Sequence, residues 1–215
     1  LIYQDKIQEA EVLVKKQLKS YPEDAGNYVV YGNLLEKKGS PDLALEQYKR
    51  AIEKVAHDRG RITSLAGSFI NMSKYDLAIE TYEKGMKVFN DQNMFPYLLA
   101  DMHRRKGDNP KMIQYYIVSL DADPQRAIPI QSIFLRTFQP ADYLELQKQL
   151  YAAVQKNPNA IHYPEMLQWS MLQVKDYAGA LRQARALDKM LDENGSRIFQ
   201  IGQIAKSAQE WESAI

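Results

Sequence analysis

The sequence repeats every 34 residues without slipping, and that period constrains the chain more than any other feature. One column of the repeat holds Ala10, Ala44, Ala78, Met112, Leu146, Ala180 and Ala214. A second holds Pro22, Ala56, Asn90, Pro124, Pro158 and Asp192, and a third Tyr75, Tyr143, Tyr177 and Trp211. The stretches GSPDLALEQYKRA (39–51), SKYDLAIETYEKG (73–85), GDNPKMIQYYIVS (107–119) and KDYAGALRQARAL (175–187) align without gaps, and QEWESAI (209–215) falls in the same frame. A fixed period of this size marks stacked supersecondary units, none of which buries its apolar face alone.

Within each period the apolar spacing is helical. Tyr28, Tyr31, Gly32 and Leu35 recur at i, i+3, i+4 and i+7, one face of a first helix. KKGSPD then interrupts the pattern: Gly39 suits the left-handed end of that helix, and Pro41 suits the first turn of the next. The second helix is expected to turn Leu43, Ala44, Tyr48, Ala51 and Ile52 inward. Asp76, Asp108, Asp142 and Asp176 fall near the starts of the later second helices, where a carboxylate satisfies free N–H groups. Small residues Gly32, Ala66, Ala100 and Gly202 are placed where the first helix crosses the second, opposite the Ala column, so that the backbones approach closely. The fourth unit departs from this with Phe134 opposite Leu146, and Pro129 and Pro140 bracket its first helix. A wider helix pair is expected there. Gln168 is the corresponding departure in the fifth unit.

These residues resemble the tetratricopeptide repeat, a 34-residue helix–turn–helix unit. Tyr28, Tyr31, Gly32, Leu35, Ala44, Tyr48 and Ala51 meet its pattern in the first full unit, and Ile62, Leu65, Ala66, Phe69, Ala78, Tyr82 and Gly85 in the second. The third keeps Leu99, Ala100, Tyr116, Ser119 and Pro124, with Met112 in the Ala place and His103 in the Tyr place. The resemblance implies an all-α chain: a right-handed α-solenoid of antiparallel helix pairs. Residues 1–22 would supply the second helix of a preceding repeat. Full repeats follow at 25–56, 59–90, 93–124, 127–158 (degenerate) and 161–192, and a further repeat starts at 195–215. In that frame EWESAI (210–215) matches KYDLAI (74–79), which suggests a piece of a longer array of the bacterial type whose uncapped ends are candidates for end-to-end self-association.

The same resemblance implies that first helices line a concave groove. Its smaller, more polar N-terminal half maps to positions such as Val29, Asn33, Thr63 and Gly67. Its C-terminal half maps to Tyr97, Asp101, Arg104, Arg105, Leu135, Phe138, Trp169, Leu172 and Phe199. Large aromatics and arginines are the side chains that anchor tight partners, so these nine positions are the candidate partner-binding residues, for an extended peptide or a helix. Two alternatives stand beside this reading: Phe138 and Trp169 as core filling of the irregular units, and the arginines as a solvated face. The repeats that grip a chaperone's C-terminal carboxylate use Lys and Asn in successive first helices. Here Val29 with Asn33, Ser64, and Met94 with Leu98 stand at those places, which argues against that mode.

Other chemistries find little support. With 28 Lys and Arg against 27 Asp and Glu, the chain has no broad field to attract nucleic acid or an anionic membrane. The histidines, His57, His103 and His162, stand at unrelated repeat positions, and His103 reads as a core substitute for Tyr. Asp121 with Asp123, and Asp188 with Asp192, lie at helix ends as capping or solvated groups rather than as an acid–base couple. No glycine-rich phosphate loop and no Cys nucleophile occur, so no catalytic residue, cofactor or metal is expected. No apolar run is long enough to span a bilayer, and the lack of Cys suits a reducing cytoplasm or a periplasm-like compartment equally. The leading function class is a protein-interaction scaffold. An RNA-binding helical repeat is the alternative, although such repeats usually run at a period of about 35, and a regulatory or targeting segment of a larger multidomain protein or enzyme is a third.

Overall fold

The computed structural model describes residues 6–55 and 57–210, so Ala56, Trp211 and Ala214 of the repeat columns, and most of EWESAI, lie outside the described residues. The chain divides into two compact units, Leu1–Lys106 and Gly107–Ile215. The first contains α1 (Ile7–Ser20), α2 (Ala25–Lys37), α3 (Pro41–Val55), α4 (Arg59–Asn71), α5 (Tyr75–Phe89) and α6 (Pro96–Lys106). The second contains α7 (Asn109–Ala122), a short 3-10 turn at Pro124–Arg126, α8 (Ala127–Thr137), α9 (Pro140–Lys156), α10 (His162–Gln173), α11 (Tyr177–Leu191) and α12 (Ser196–Ser207). Among the described residues all regular structure is helical, and the fold is an all-α solenoid of helix pairs. None of the described helices is long and apolar enough to cross a membrane.

Turn chemistry fixes where the helices stop. Gly39, Ser73, Gly107, Lys175 and Gln209 all take left-handed backbone angles, with φ of 77°, 58°, 73°, 60° and 64°. They mark one column of the repeat: Gly39, Ser73, Lys175 and Gln209 are the C′ residues after first helices, and Gly107 directly follows α6. The column is broken at Ala141, which lies inside α9. There Phe138 and Gln139 run extended (ψ 141° and 163°) and Pro140 opens the next helix. Helix starts are capped largely as the carboxylate spacing suggests. Asp108 accepts from the Lys111 N–H, Asp176 from the Gly179 N–H, and Asp142 reaches back to the Gln139 N–H. Asp76 departs from that expectation: it pairs with Lys106, and no side chain caps α5.

The interior of the first unit follows from one close approach. A Cβ placed on Gly32 would lie 2.4 Å from Cε1 of Tyr48, so the ring occupies the room that any other residue would need. Gly32 thus faces the Tyr48 ring of α3 rather than chiefly the Ala column. Tyr48 meets the edge of Phe69 from α4 at 5.6 Å between ring centroids, tying one helix pair to the next. Gly85 repeats the arrangement against Ile62, where an added Cβ would lie 2.6 Å from Cδ1. One apolar side chain expected inside lies outside. Leu43 is 51% exposed, because α3 buries Ala44, Gln47, Tyr48, Ala51, Ile52 and Val55 instead. Leu13 is also exposed, and α1 packs Ile7, Ala10 and Val14 against Leu34 and Tyr31 of α2.

The second unit shows what happens when both facing positions are large. Phe134 and Leu146 are both buried, 1% and 0% exposed, yet the backbones of α8 and α9 make almost none of the close approaches that join α2 to α3 or α10 to α11. The widened pair expected at 127–158 is therefore present, and α9 packs closely on α7 and α10 instead. Gln168, also in the small-residue column, is buried in α10.

Replacing Gly32 by Ala gains helix propensity worth about 1 kcal/mol but forces a buried ring to move. The net expectation is a loss of about 2 kcal/mol of unfolding free energy in urea titrations. Gly39→Ala meets no atom within 4 Å and is expected to lose only about 1 kcal/mol, the cost of left-handed φ.

Candidate functional site

On the first-helix side of the first unit, small side chains leave a hollow of about 380 Å3. Gly26, Val29 and Val30 of α2 and Arg61, Ser64 and Ser68 of α4 line it. The sequence analysis named Val29 and Ser64 at first-helix positions but missed Gly26, Val30, Arg61 and Ser68. The recoverable signal is the run of small residues Gly26, Ser64 and Ser68 on facing helices. Asp24 and Asp58, also unforeseen, cap these two helices by accepting from the Gly26 and Arg61 N–H groups at 2.9 and 2.8 Å. The Arg61 guanidinium donates to the Glu23 carbonyl at 2.9 Å, which pins the charged end of the hollow.

The candidate residues on α6 form a local cluster. Asp101 Oδ1 accepts from Nε and Nη2 of Arg104 at 2.9 and 2.6 Å, while its Oδ2 accepts from Arg105 Nε at 2.9 Å. The spacings i, i+3 and i, i+4 bring both guanidiniums onto one carboxylate. Burial by itself raises the Asp101 pKa, but the hydrogen bonds from Arg105 and Arg104 more than offset it and hold the carboxyl below its ordinary range. The Arg105 guanidinium also lies 5.9 Å from the centroid of the Tyr75 ring. Both arginines thus share one intramolecular carboxylate. Tyr97, on the same helix, is half-buried.

In the second unit the candidates separate into two groups. Phe138 and Trp169 join an aromatic cluster with Phe134 and Tyr143. Phe138 stacks on Phe134 at 4.3 Å and meets the edge of Tyr143 at 5.1 Å, while Trp169 lies 6.4 Å from Phe134 and 6.0 Å from Tyr143. Both are half-buried, so internal packing uses part of each ring. Leu172 is likewise half-buried. Leu135 on α8 and Phe199 on α12 are different: they are 58% and 67% exposed, while the opposite faces of their helices bury Ile130 and Phe134, and Ile201 and Ala205.

The remaining polar clusters look structural. Asp121 accepts from the Tyr163 hydroxyl at 2.5 Å and lies 3.3 Å from His162 Nε2, bracing α7 against α10. Burial, and secondarily Asp121, raises the Tyr163 pKa. Asp123 caps the 3-10 turn at the Gln125 N–H, and both carboxylate oxygens of Asp188 accept from the Gly195 N–H. His103 is buried in α6. Among the described residues no group of three or more His, Asp or Glu is gathered where it could hold a metal ion.

With this geometry in hand, comparison places the repeat in a family. Residues 97–129 match the family model described as the tetratricopeptide repeat. No curated protein matches the chain. Among solved structures it is similar to PilF of Pseudomonas aeruginosa, at 16% identity over 98% of this chain and 90% of that one, with a TM-score of 0.34. It is also similar to PilW, described as a widely conserved type IV pilus biogenesis factor, at 15% identity over 99% and 91% of the two chains and a TM-score of 0.33. The tetratricopeptide domain of P58(IPK) aligns at 14% identity over 98% of this chain and 63% of that one, with a TM-score of 0.33. Residues 97–129 thus match a tetratricopeptide repeat, and the helix pairs on either side recur at the same 34-residue spacing.

Asp101→Asn removes the charge that both arginines share, and is expected to lower stability at neutral pH by about 1 kcal/mol. Because the folded pKa is depressed, this contribution is fully present above the ordinary carboxylate range and is lost as pH falls through the folded value. Melting curves of variant and wild type should therefore converge as pH falls below the ordinary carboxylate range.

Proposed function

We propose that the chain is a non-catalytic interaction scaffold whose first helices present apolar side chains to a peptide segment or a partner domain. The tetratricopeptide fold supports a protein-interaction role in general, and proteins of this kind are typically scaffolds rather than enzymes. The observation that carries the finer reading is the exposure of Leu135 and Phe199 on α8 and α12, helices whose other faces already supply the core. Fully burying either side chain against a partner is worth about 1.5–3 kcal/mol, enough to make each an anchor. The arginines favour protein over nucleic acid as the partner. The Asp101 carboxylate cancels one of the two charges of Arg104 and Arg105 and so weakens their field for phosphates, and the chain as a whole carries a formal charge of only +1. In the first unit, the hollow between α2 and α4 offers room for a small apolar side chain beside Val29 and Val30.

The test is affinity capture with mass spectrometry, comparing wild type with a Leu135→Asp, Phe199→Asp double variant. Both positions are exposed, so circular dichroism should be unchanged while the captured partners are lost. An identical set of partners from the variant, or recovery of RNA as the dominant ligand at low salt, would overturn the reading.

A further inference from the structure

We infer that a pocket at the turn edge of the second unit is a docking site for a peptide that carries an aromatic side chain beside a carboxylate. The inference shares with the proposal above only the premise that the occupant is a peptide. It concerns the turns between helices, not the exposed faces of α8 and α12.

The repeat supplies the comparison. In the first unit a hollow of about 320 Å3 lies where the turn of one repeat meets the helices of the repeat before it. Charge fills it. Lys74 Nζ bonds Glu36 at 2.5 Å and sits 5.1 Å from the centroid of the Tyr48 ring, and Lys106 pairs with Asp76. Three repeats later the same columns read Phe138 for Glu36, Leu150 for Tyr48, Lys175 for Ser73 and Asp176 for Lys74. The ion pair cannot form there: one partner has become a phenyl ring, and the Asp176 carboxylate is engaged in capping the Gly179 N–H at 2.8 Å. What remains is an opening of about 400 Å3 lined by Phe138, Pro140, Tyr143, Gln173, Val174 and Lys175.

Three features specify its occupant. The walls are mostly apolar, and their rings are held in advance: Phe138 by its stacking on Phe134, and Tyr143 by its edge against Phe138. A ring entering the pocket therefore meets a surface that need not reorganise. Lys175 is the only charged side chain lining it, and it makes no ion pair among the described residues. It also stands at φ 60° in the column that elsewhere holds Gly39, Ser73, Gly107 and Gln209, so a long cationic side chain occupies a backbone conformation that disfavours side chains. An apolar cleft with one unmatched cation at its rim selects an apolar group with an anion next to it. It disfavours basic partners.

The probe is a fluorescein-labelled, end-capped decapeptide with one Trp flanked by Asp residues on a Gly/Ser background, titrated into the full chain and followed by amide NMR and anisotropy. Shifts are expected to cluster at residues 138–143 and 173–175, and affinity is expected to fall with salt. Lys175→Glu, at an exposed position, should weaken binding by about fivefold or more; replacing the peptide's Trp by Ala should abolish it. The Leu135→Asp, Phe199→Asp variant should bind the probe as wild type does. The inference is overturned if no binding is seen up to about 1 mM peptide, if Lys175→Glu leaves the affinity unchanged, or if the first-helix variant loses the probe, which would place the peptide on that face instead.

Discussion

The ring of Tyr48 lies where a side chain on residue 32 would have to be, and much of the first unit depends on that exclusion. With only hydrogen at position 32, α2 and α3 approach closely enough for Tyr48 to be buried and still reach Phe69 on the following helix. One small residue thus sets both the pairing of two helices and the contact that passes packing to the next pair. Gly85 against Ile62 repeats the device on a different pair of helices. A stacked array is stable only when such local and neighbour contacts agree in register, and a period of 34 residues without drift keeps them in agreement.

The fourth unit relaxes the constraint, and its surface chemistry follows from that. Phe134 and Leu146 keep α8 and α9 apart. The left-handed turn residue present in other units is absent, the chain runs extended through Phe138 and Gln139, and the Phe138 ring turns back onto Phe134. The irregular core and the turn-edge pocket are two results of one substitution pattern. Where the first unit lines the matching hollow with a Lys–Glu pair, the second has aromatic walls and a lysine that makes no ion pair among the described residues.

Period and turn chemistry were legible because they act locally. The helix limits follow from apolar spacing, and Gly39 and Gly107 fall where the turn demands positive φ. Asp108 and Asp176 cap as their positions suggest. Exposure of Leu43 was not legible, since alternation along α3 admits either edge of the apolar stripe and Gln47 took the inner place. Nor was the Asp121–Tyr163 bond, which joins residues on different helices through tertiary packing. The Asp101 cluster could have been read: an acid followed at i+3 and i+4 by arginines is a local signal. For Phe138 and Trp169 the sequence left core and anchor both open. The structure gives each a share in the aromatic cluster, and what remains exposed of each ring depends on the width of the fourth unit. Leu135 and Phe199 were named by their columns alone, but their isolation from the core is a fact of packing that columns do not contain.

The central claim, that the small residue and the facing ring act as one unit, is tested most directly by a double-mutant cycle on Gly32→Ala and Tyr48→Leu, measured by urea unfolding. If the ring is what excludes a side chain at position 32, Gly32→Ala should cost stability in the native background and little or nothing once the ring is gone, giving a coupling of about 1–3 kcal/mol. Additivity of the two changes to within about 0.5 kcal/mol would contradict the account.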